Sequence, residues 1–130
     1  NICVSDMARS IRFYEALGFT KVADLMLGGG EPNIGAALGV PLKKLRGVFM
    51  RLGSDPQAPV IDLVQFIAPP PQGQPYSTLT NLGICRIEFI APLHFFDGPR
   101  GTRIGVVCFK DPDGTVLELM SSEIEASVAP

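Results

Sequence analysis

The chain has 130 residues, 46% hydrophobic and 18% charged, which is enough apolar mass for one core or two small fused ones and excludes a mainly disordered chain. Eleven basic and thirteen acidic residues leave a net charge of −2, without the basic stripe of a nucleic-acid binder. No apolar run reaches the roughly 18 residues that span a bilayer, and no secretory-type segment opens the chain, so neither nucleic acid nor membrane is an expected partner.

The sequence does not open on Met, so residues are expected before Asn1. Ile2–Val4 reads as the end of a strand. Ser5 or Asp6 then caps a helix, because a short oxygen-bearing side chain accepts from the first free N–H groups. Met7, Ile11, Tyr14 and Leu17 recur at spacings of three and four and predict one buried stripe, widened by Phe13. Arg9, Arg12 and Glu15 fall on the other faces, and Gly18 ends the helix. Ser10, with no histidine near it in sequence, is a poor nucleophile.

Phe19–Leu27 reads as a strand, followed by a turn at Gly28, Gly29 and Gly30. No Gly-Lys-Ser/Thr follows those glycines, so they are not a phosphate loop. Glu31–Leu38 is either a short helix or an irregular loop. Leu45–Leu52 and Val60–Phe66 predict strands around a turn at Ser54, Asp55, Pro56 and Gln57. Pro69, Pro70, Pro71 and Pro75 exclude a regular ladder from the stretch Ala68–Tyr76, which reads as a linker. Strands follow at Ile84–Ile90, Ile104–Phe109 and Val116–Met120, with a turn at Asp111, Pro112, Asp113 and Gly114. The tail after Ser122 is expected to be loosely held.

Cys3, Cys85 and Cys108 stand far apart in apolar stretches and form no CxxC pair. They predict buried, reduced thiols of a cytoplasmic protein rather than a zinc site. His94, the one histidine, limits any His-rich metal site and is expected on the surface or in a lid. Tyr14 and Phe13 are expected in the core, and Tyr76 has no assigned role.

The linker separates two similar stretches. The ten residues Asp55-Pro56-Gln57-Ala58-Pro59-Val60-Ile61-Asp62-Leu63-Val64 align without a gap on Asp111-Pro112-Asp113-Gly114-Thr115-Val116-Leu117-Glu118-Leu119-Met120, at a constant offset (111 − 55 = 56). Each copy is an Asp-Pro turn and a strand with a carboxylate at its middle, which predicts two strand–helix–strand–strand–strand units. Matching Asn1-Ile2-Cys3-Val4 to Glu88-Phe89-Ile90-Ala91 exposes a shortfall. Asn1 to Asp62 is 61 positions (62 − 1), whereas Glu88 to Glu118 is 30 (118 − 88). The second unit is thus about 30 residues short, lacking the crossover that a parallel pair needs. A segment is expected to be missing between Ile90 and Phe95. The boundaries read as 1–67 for the first module, 68–82 for the linker, 83–122 for the second module and 123–130 for the tail.

Asp62 lies between Ile61 and Leu63, and Glu118 between Leu117 and Leu119. Strand alternation turns each carboxylate away from its apolar neighbours. A carboxylate in such a strand is costly to bury unless it is paired, hydrogen-bonded or metal-bound. Asp62 and Glu118 are therefore candidate metal ligands and acid/base groups, with satisfied structural carboxylates as the competing reading. Arg86 cannot donate a lone pair to a metal. It is a candidate for gripping an anionic substrate or neutralising Glu118 or Asp62, and Glu88, two positions on, shares its side. A plain ion pair is the alternative for both.

The segment Asp6-Met7-Ala8-Arg9-Ser10-Ile11-Arg12-Phe13-Tyr14-Glu15-Ala16-Leu17-Gly18-Phe19 resembles the opening of the vicinal oxygen chelate superfamily. That group contains glyoxalase I, bleomycin-resistance proteins, extradiol dioxygenases, fosfomycin-resistance enzymes and methylmalonyl-CoA epimerase. Phe109-Lys110-Asp111-Pro112-Asp113-Gly114-Thr115-Val116-Leu117-Glu118-Leu119 resembles its closing signature, and Gly98-Pro99-Arg100-Gly101-Thr102-Arg103 the stretch before its last strands. The resemblance implies an α+β fold of two βαβββ modules whose mixed sheets form a cup, in a homodimer. It also implies a divalent metal (Fe, Mn, Ni or Zn) held by the first and last strands of each module. The positions concerned are one before Asn1, Asp62, Arg86 in place of the usual histidine, and Glu118. The activity implied is lyase, isomerase or dioxygenase chemistry on a small polar molecule. The rival is a metal-free protein that sequesters a drug or metabolite, with Ile90, Val64 and Met120 lining its cup, and a regulatory or structural module ranks below both.

Overall fold

Among the described residues, apolar alternation builds most of eight strands and the spacing-three-and-four stripe builds one helix. The elements are β1 (Ile2–Cys3), α1 (Met7–Ala16), β2 (Phe19–Gly28), β3 (Lys44–Leu52), β4 (Val60–Ala68), β5 (Ile87–Ile90), β6 (Phe96–Asp97), β7 (Thr102–Lys110) and β8 (Val116–Ile124). The computed structural model describes residues 1–28, 35, 39–75, 80, 82, 87–90, 96–97 and 102–124, with the backbone alone for 88–90, 96–97, 102–104 and 120–124. The chain divides into two compact units, Asn1–Gly73 and Gln74–Pro130.

The first unit is a mixed sheet in the order β1-β4-β3-β2. β1 runs parallel to β4, with Ile2 opposite Leu63 and Cys3 opposite Val64, and β3 is antiparallel to both β4 and β2. Asp6 caps α1 by accepting from the Arg9 N–H at 3.0 Å, and Gly18, at φ +95°, turns the chain out of it. The Gln65 amide donates to the Ser5 carbonyl at 2.8 Å, which ties the start of the helix to β4. The buried stripe is Met7, Ser10 and Tyr14, whereas Ile11 and Leu17 are only half-buried. The small Ser10 side chain thus faces inward at a position where the apolar pattern predicts none. Tyr14 packs edge-on against Phe13 and Phe19, at 5.2 and 5.6 Å between ring centres. Ile2, Val4, Val48, Met50 and Leu63 are buried with them, and alternation puts these strand residues on one face of the sheet.

A bulge between Lys21 and Ala23 reverses the facing of β2 partway along its length. Beyond it, the Arg46 guanidinium grips Asp24 with two hydrogen bonds, at 2.9 and 2.8 Å, while Lys21 donates at 3.2 Å. The Arg46 bonds, reinforced by Lys21 and opposed by desolvation, hold the Asp24 carboxyl well below the usual carboxylate range.

The second unit repeats the strand order as β5-β8-β7-β6, and the repeat extends to register. Phe89 lies opposite Leu119 and Ile90 opposite Met120, the counterparts of Ile2–Leu63 and Cys3–Val64 at the 56-residue offset of β4 and β8. The hairpin entering the last strand differs. Arg51 pairs with Val60, whereas Lys110 pairs with Val116, so the first unit's loop is three residues longer (60 − 51 = 9; 116 − 110 = 6). The Asp-Pro turn therefore follows β7 directly but stands off from β3.

Several readings are corrected. Cys3 and Cys108 are exposed, not buried, because alternation gives the inward positions beside Cys3 to Ile2 and Val4. β8 runs past Ser122 to Ile124, which pairs with Thr102, since a nine-residue β7 offers ladder partners along its whole length. Gly28 ends β2 rather than opening a turn, Ala68 ends β4 rather than opening a linker, and β6 is a short strand with no sequence signal. The segment expected to be missing, at residues 91–95, lies outside the described residues, as do Cys85, His94 and Tyr76. So does the stretch 31–38 apart from Gly35. Among the described residues, no helix is long and apolar enough to cross a membrane.

Candidate functional site

The face of the first sheet opposite the helix carries a hollow of about 300 Å³. Alternation decides its lining. β3 contributes Leu45, Gly47 and Phe49, and β4 contributes Asp62, Val64 and Phe66, which are directly paired across the ladder. Leu25 and Leu27 close the β2 side, and Asn1 and Cys3 the β1 side. The wall is mostly carbon, and among the described residues Asp62 is its only acidic side chain.

Asp62 sits mid-strand opposite Phe49. Its Oδ1 is buried and has no hydrogen-bond partner among the described residues. An oxygen in that condition costs roughly 1–3 kcal/mol until a donor reaches it. Gly47 leaves it room, since a Cβ there would stand 3.8 Å from Asp62 Oδ1. That is ordinary contact at a backbone without a left-handed φ, so Gly47→Ala is expected to fold with stability within about 1 kcal/mol of the parent while narrowing the hollow. A urea-unfolding midpoint checks this, and a loss above about 2 kcal/mol would show that the backbone itself needs glycine.

Glu118 occupies the matching position in the second unit. It is 5% exposed, and the Cys108 thiol donates to its Oε2 at 3.2 Å. Cys108 lies opposite Glu118 on β7, as Phe49 lies opposite Asp62 on β3. The β5 backbone places Glu88 opposite Glu118 on the other side, so Glu88, Glu118 and Cys108 form one row across three strands. Arg86 lies outside the described residues.

Of the four predicted site residues, the structure thus shows Asp62 in a hollow and Glu118 against a thiol, and it places Glu88 by register. Val64 lines the hollow in the first unit. Sequence reasoning missed Leu45, Gly47, Phe49, Leu25, Leu27 and Phe66, although the odd-numbered alternation along β3 was a usable signal. It also missed Cys108 as a partner of Glu118, which β7–β8 pairing would have suggested.

No group of three or more His, Cys, Asp or Glu side chains able to hold a metal occurs among the described residues. Around Asp62 the hollow offers one carboxylate, the Asn1 amide and the Cys3 thiol, amid carbon. Asp62 and Cys3 are the only His, Cys, Asp or Glu side chains among these described lining residues, one short of the three protein ligands that a zinc with an open position uses.

No family profile and no curated protein sequence matches the chain. Among solved structures, the chain is similar to a glyoxalase family protein from Bacillus cereus, with a TM-score of 0.73 at 16% identity over 93% of this chain and 89% of that one. The chain therefore has the α+β fold of a glyoxalase family protein, in keeping with the resemblance to the vicinal oxygen chelate superfamily.

Proposed function

We propose that the chain takes up a small molecule in the hollow of its first sheet, with Asp62 as the polar anchor. The observation that carries this reading is a buried carboxyl oxygen without a partner at the wall of an apolar hollow of about 300 Å³. Ligand sites combine an apolar lining with a few placed polar groups, and this volume lies at the small end of their range. An unsatisfied buried acceptor is a reservoir that a ligand's donor releases.

A second reading, divalent-metal-assisted lyase, isomerase or dioxygenase chemistry, is favoured by the matching positions of Asp62 and Glu118 in two sheets of the same order. In it both carboxylates are ligands or acid/base groups, and Arg86 and Glu88 orient the substrate. The two-module cup, the homodimer and the cytoplasmic setting implied by the resemblance belong to this proposal too, the last supported by Cys3 and Cys108 being reduced thiols.

The readings part on chelation. A fragment library is screened by methyl NMR against protein treated with EDTA and against protein titrated with Mn, Fe, Ni and Zn. Fragments that shift the Leu27 and Val64 methyls are expected to do so equally in EDTA. If they bind only after a metal is added, and Asp62→Asn abolishes that metal's binding, the metal-assisted reading replaces the first.

A further inference from the structure

We propose that the ligand of this hollow is an organic ammonium, an N–H-bearing cation on an apolar and preferably aromatic body. This deepens the preceding proposal and rests on it. Three observations converge.

Asp62 Oδ1 lacks a donor among the described residues, and no Lys or Arg is among the described residues that line the hollow. Two arginines of β3 bear on this. Arg46 points to the opposite face and is engaged by Asp24. Arg51 shares the hollow's side of β3 by alternation, with its Nε buried and unpartnered, but it does not line the hollow and forms no ion pair with Asp62 among the described residues.

The ladder puts Phe49 directly opposite Asp62, so a cation resting on the carboxylate lies beside an aromatic ring, which adds attraction from the ring's negative face. Gly47 and Val64 form the next same-face pair along the same two strands, and with Phe66 and Leu45 one step beyond them they receive the apolar body. A neutral ligand would forgo the charge-assisted bond, and an anion would meet a carboxylate in a water-poor wall. Because the acceptor needs an N–H, a primary ammonium is favoured over a fully methylated one.

The test uses the whole chain in EDTA and four probes of one shape: benzylammonium, benzyltrimethylammonium, benzyl alcohol and benzoate. Binding is read from methyl shifts of Leu25, Leu27 and Val64. Benzylammonium is expected to bind about tenfold tighter than benzyl alcohol, the worth of one charge-assisted hydrogen bond. Benzyltrimethylammonium should fall between them and benzoate should bind weakest. In Asp62→Asn, a near-isosteric change, the preference for ammonium over alcohol should vanish while the alcohol still binds.

Equal binding of the probes, or a preference that survives Asp62→Asn, overturns the ammonium assignment and leaves the hollow as a site. Ammonium binding that appears only once Arg51→Gln is introduced overturns it as well, by showing that Arg51 closes on Asp62. If no probe moves the three methyls, the hollow is not a ligand site and both proposals fall.

Discussion

Leu63→Ala is expected to destabilise the first unit by about 2–5 kcal/mol, the cost of removing buried methyl groups and leaving a cavity behind. Leu63 is fully buried and sits at the centre of the helix-side face, opposite Ile2 on one side and Val48 on the other. Val48 lies inside the regular stretch of the β3–β4 ladder from Leu45 to Arg51, and Ile2 pairs along β1 on the other side, so the space cannot collapse without breaking backbone hydrogen bonds. Amide hydrogen exchange of β3 and β4 reads the loss unit by unit, which matters because two units need not unfold in one transition. Leu82→Ala is the control. Leu82 is 93% exposed, and its removal is expected to change stability by no more than about 0.5 kcal/mol. A Leu63→Ala protein that lost less than about 1 kcal/mol would contradict the packing described.

Asp111→Ala is expected to cost the second unit about 2–4 kcal/mol. Asp111 is 5% exposed. Its Oδ1 accepts from the Asp113 N–H at 3.0 Å and the Thr115 N–H at 2.8 Å. Its own backbone closes the turn through Asp111 N–H to the Thr115 carbonyl and Gly114 N–H to the Asp111 carbonyl, both at 3.0 Å. Alanine removes two bonds to a carboxylate oxygen, each worth about 1.5–3 kcal/mol, and water reaching the turn recovers part of that. Asn keeps one acceptor and should lose less than half as much. Gly114, at φ +95°, is the other fixed point of the turn, since a side chain there adds strain of about 1–2 kcal/mol. The first unit supplies an internal comparison. Asp55 Oδ1 accepts from Gln57 N–H alone, at 2.8 Å, in an exposed turn, so Asp55→Ala is expected to cost less than about 1 kcal/mol. Urea unfolding of the three variants settles the ranking, and an Asp55 change as damaging as the Asp111 change would contradict it.

That contrast shows how far residue patterns reach. The Asp-Pro repeat made both turns and both strands legible, because Asp and Gly carry local backbone information. It did not distinguish a buried turn that follows β7 at once from an exposed one that stands three residues off from β3. Burial depends on how far a hairpin's loop carries the turn from the body of the sheet, and no local pattern encodes that. The cysteines teach the same lesson in reverse. An apolar neighbourhood suggested buried thiols, yet alternation sends Cys3 to the face opposite Ile2 and Val4.

The sequence alone determined the positions of α1 and most strands and the alignment of the two similar stretches. Side-chain periodicity and capping are local properties of the chain, and a one-residue slip would turn every apolar side chain to the wrong face. Only the tertiary structure decided that Asp62 faces a carbon-lined hollow with an oxygen left unpaired, while its counterpart Glu118 takes a bond from Cys108. Those two fates come from the residue facing each carboxylate across the ladder, Phe49 in one sheet and Cys108 in the other. That neighbour is brought in from another strand, so the same local pattern leads to different chemistry.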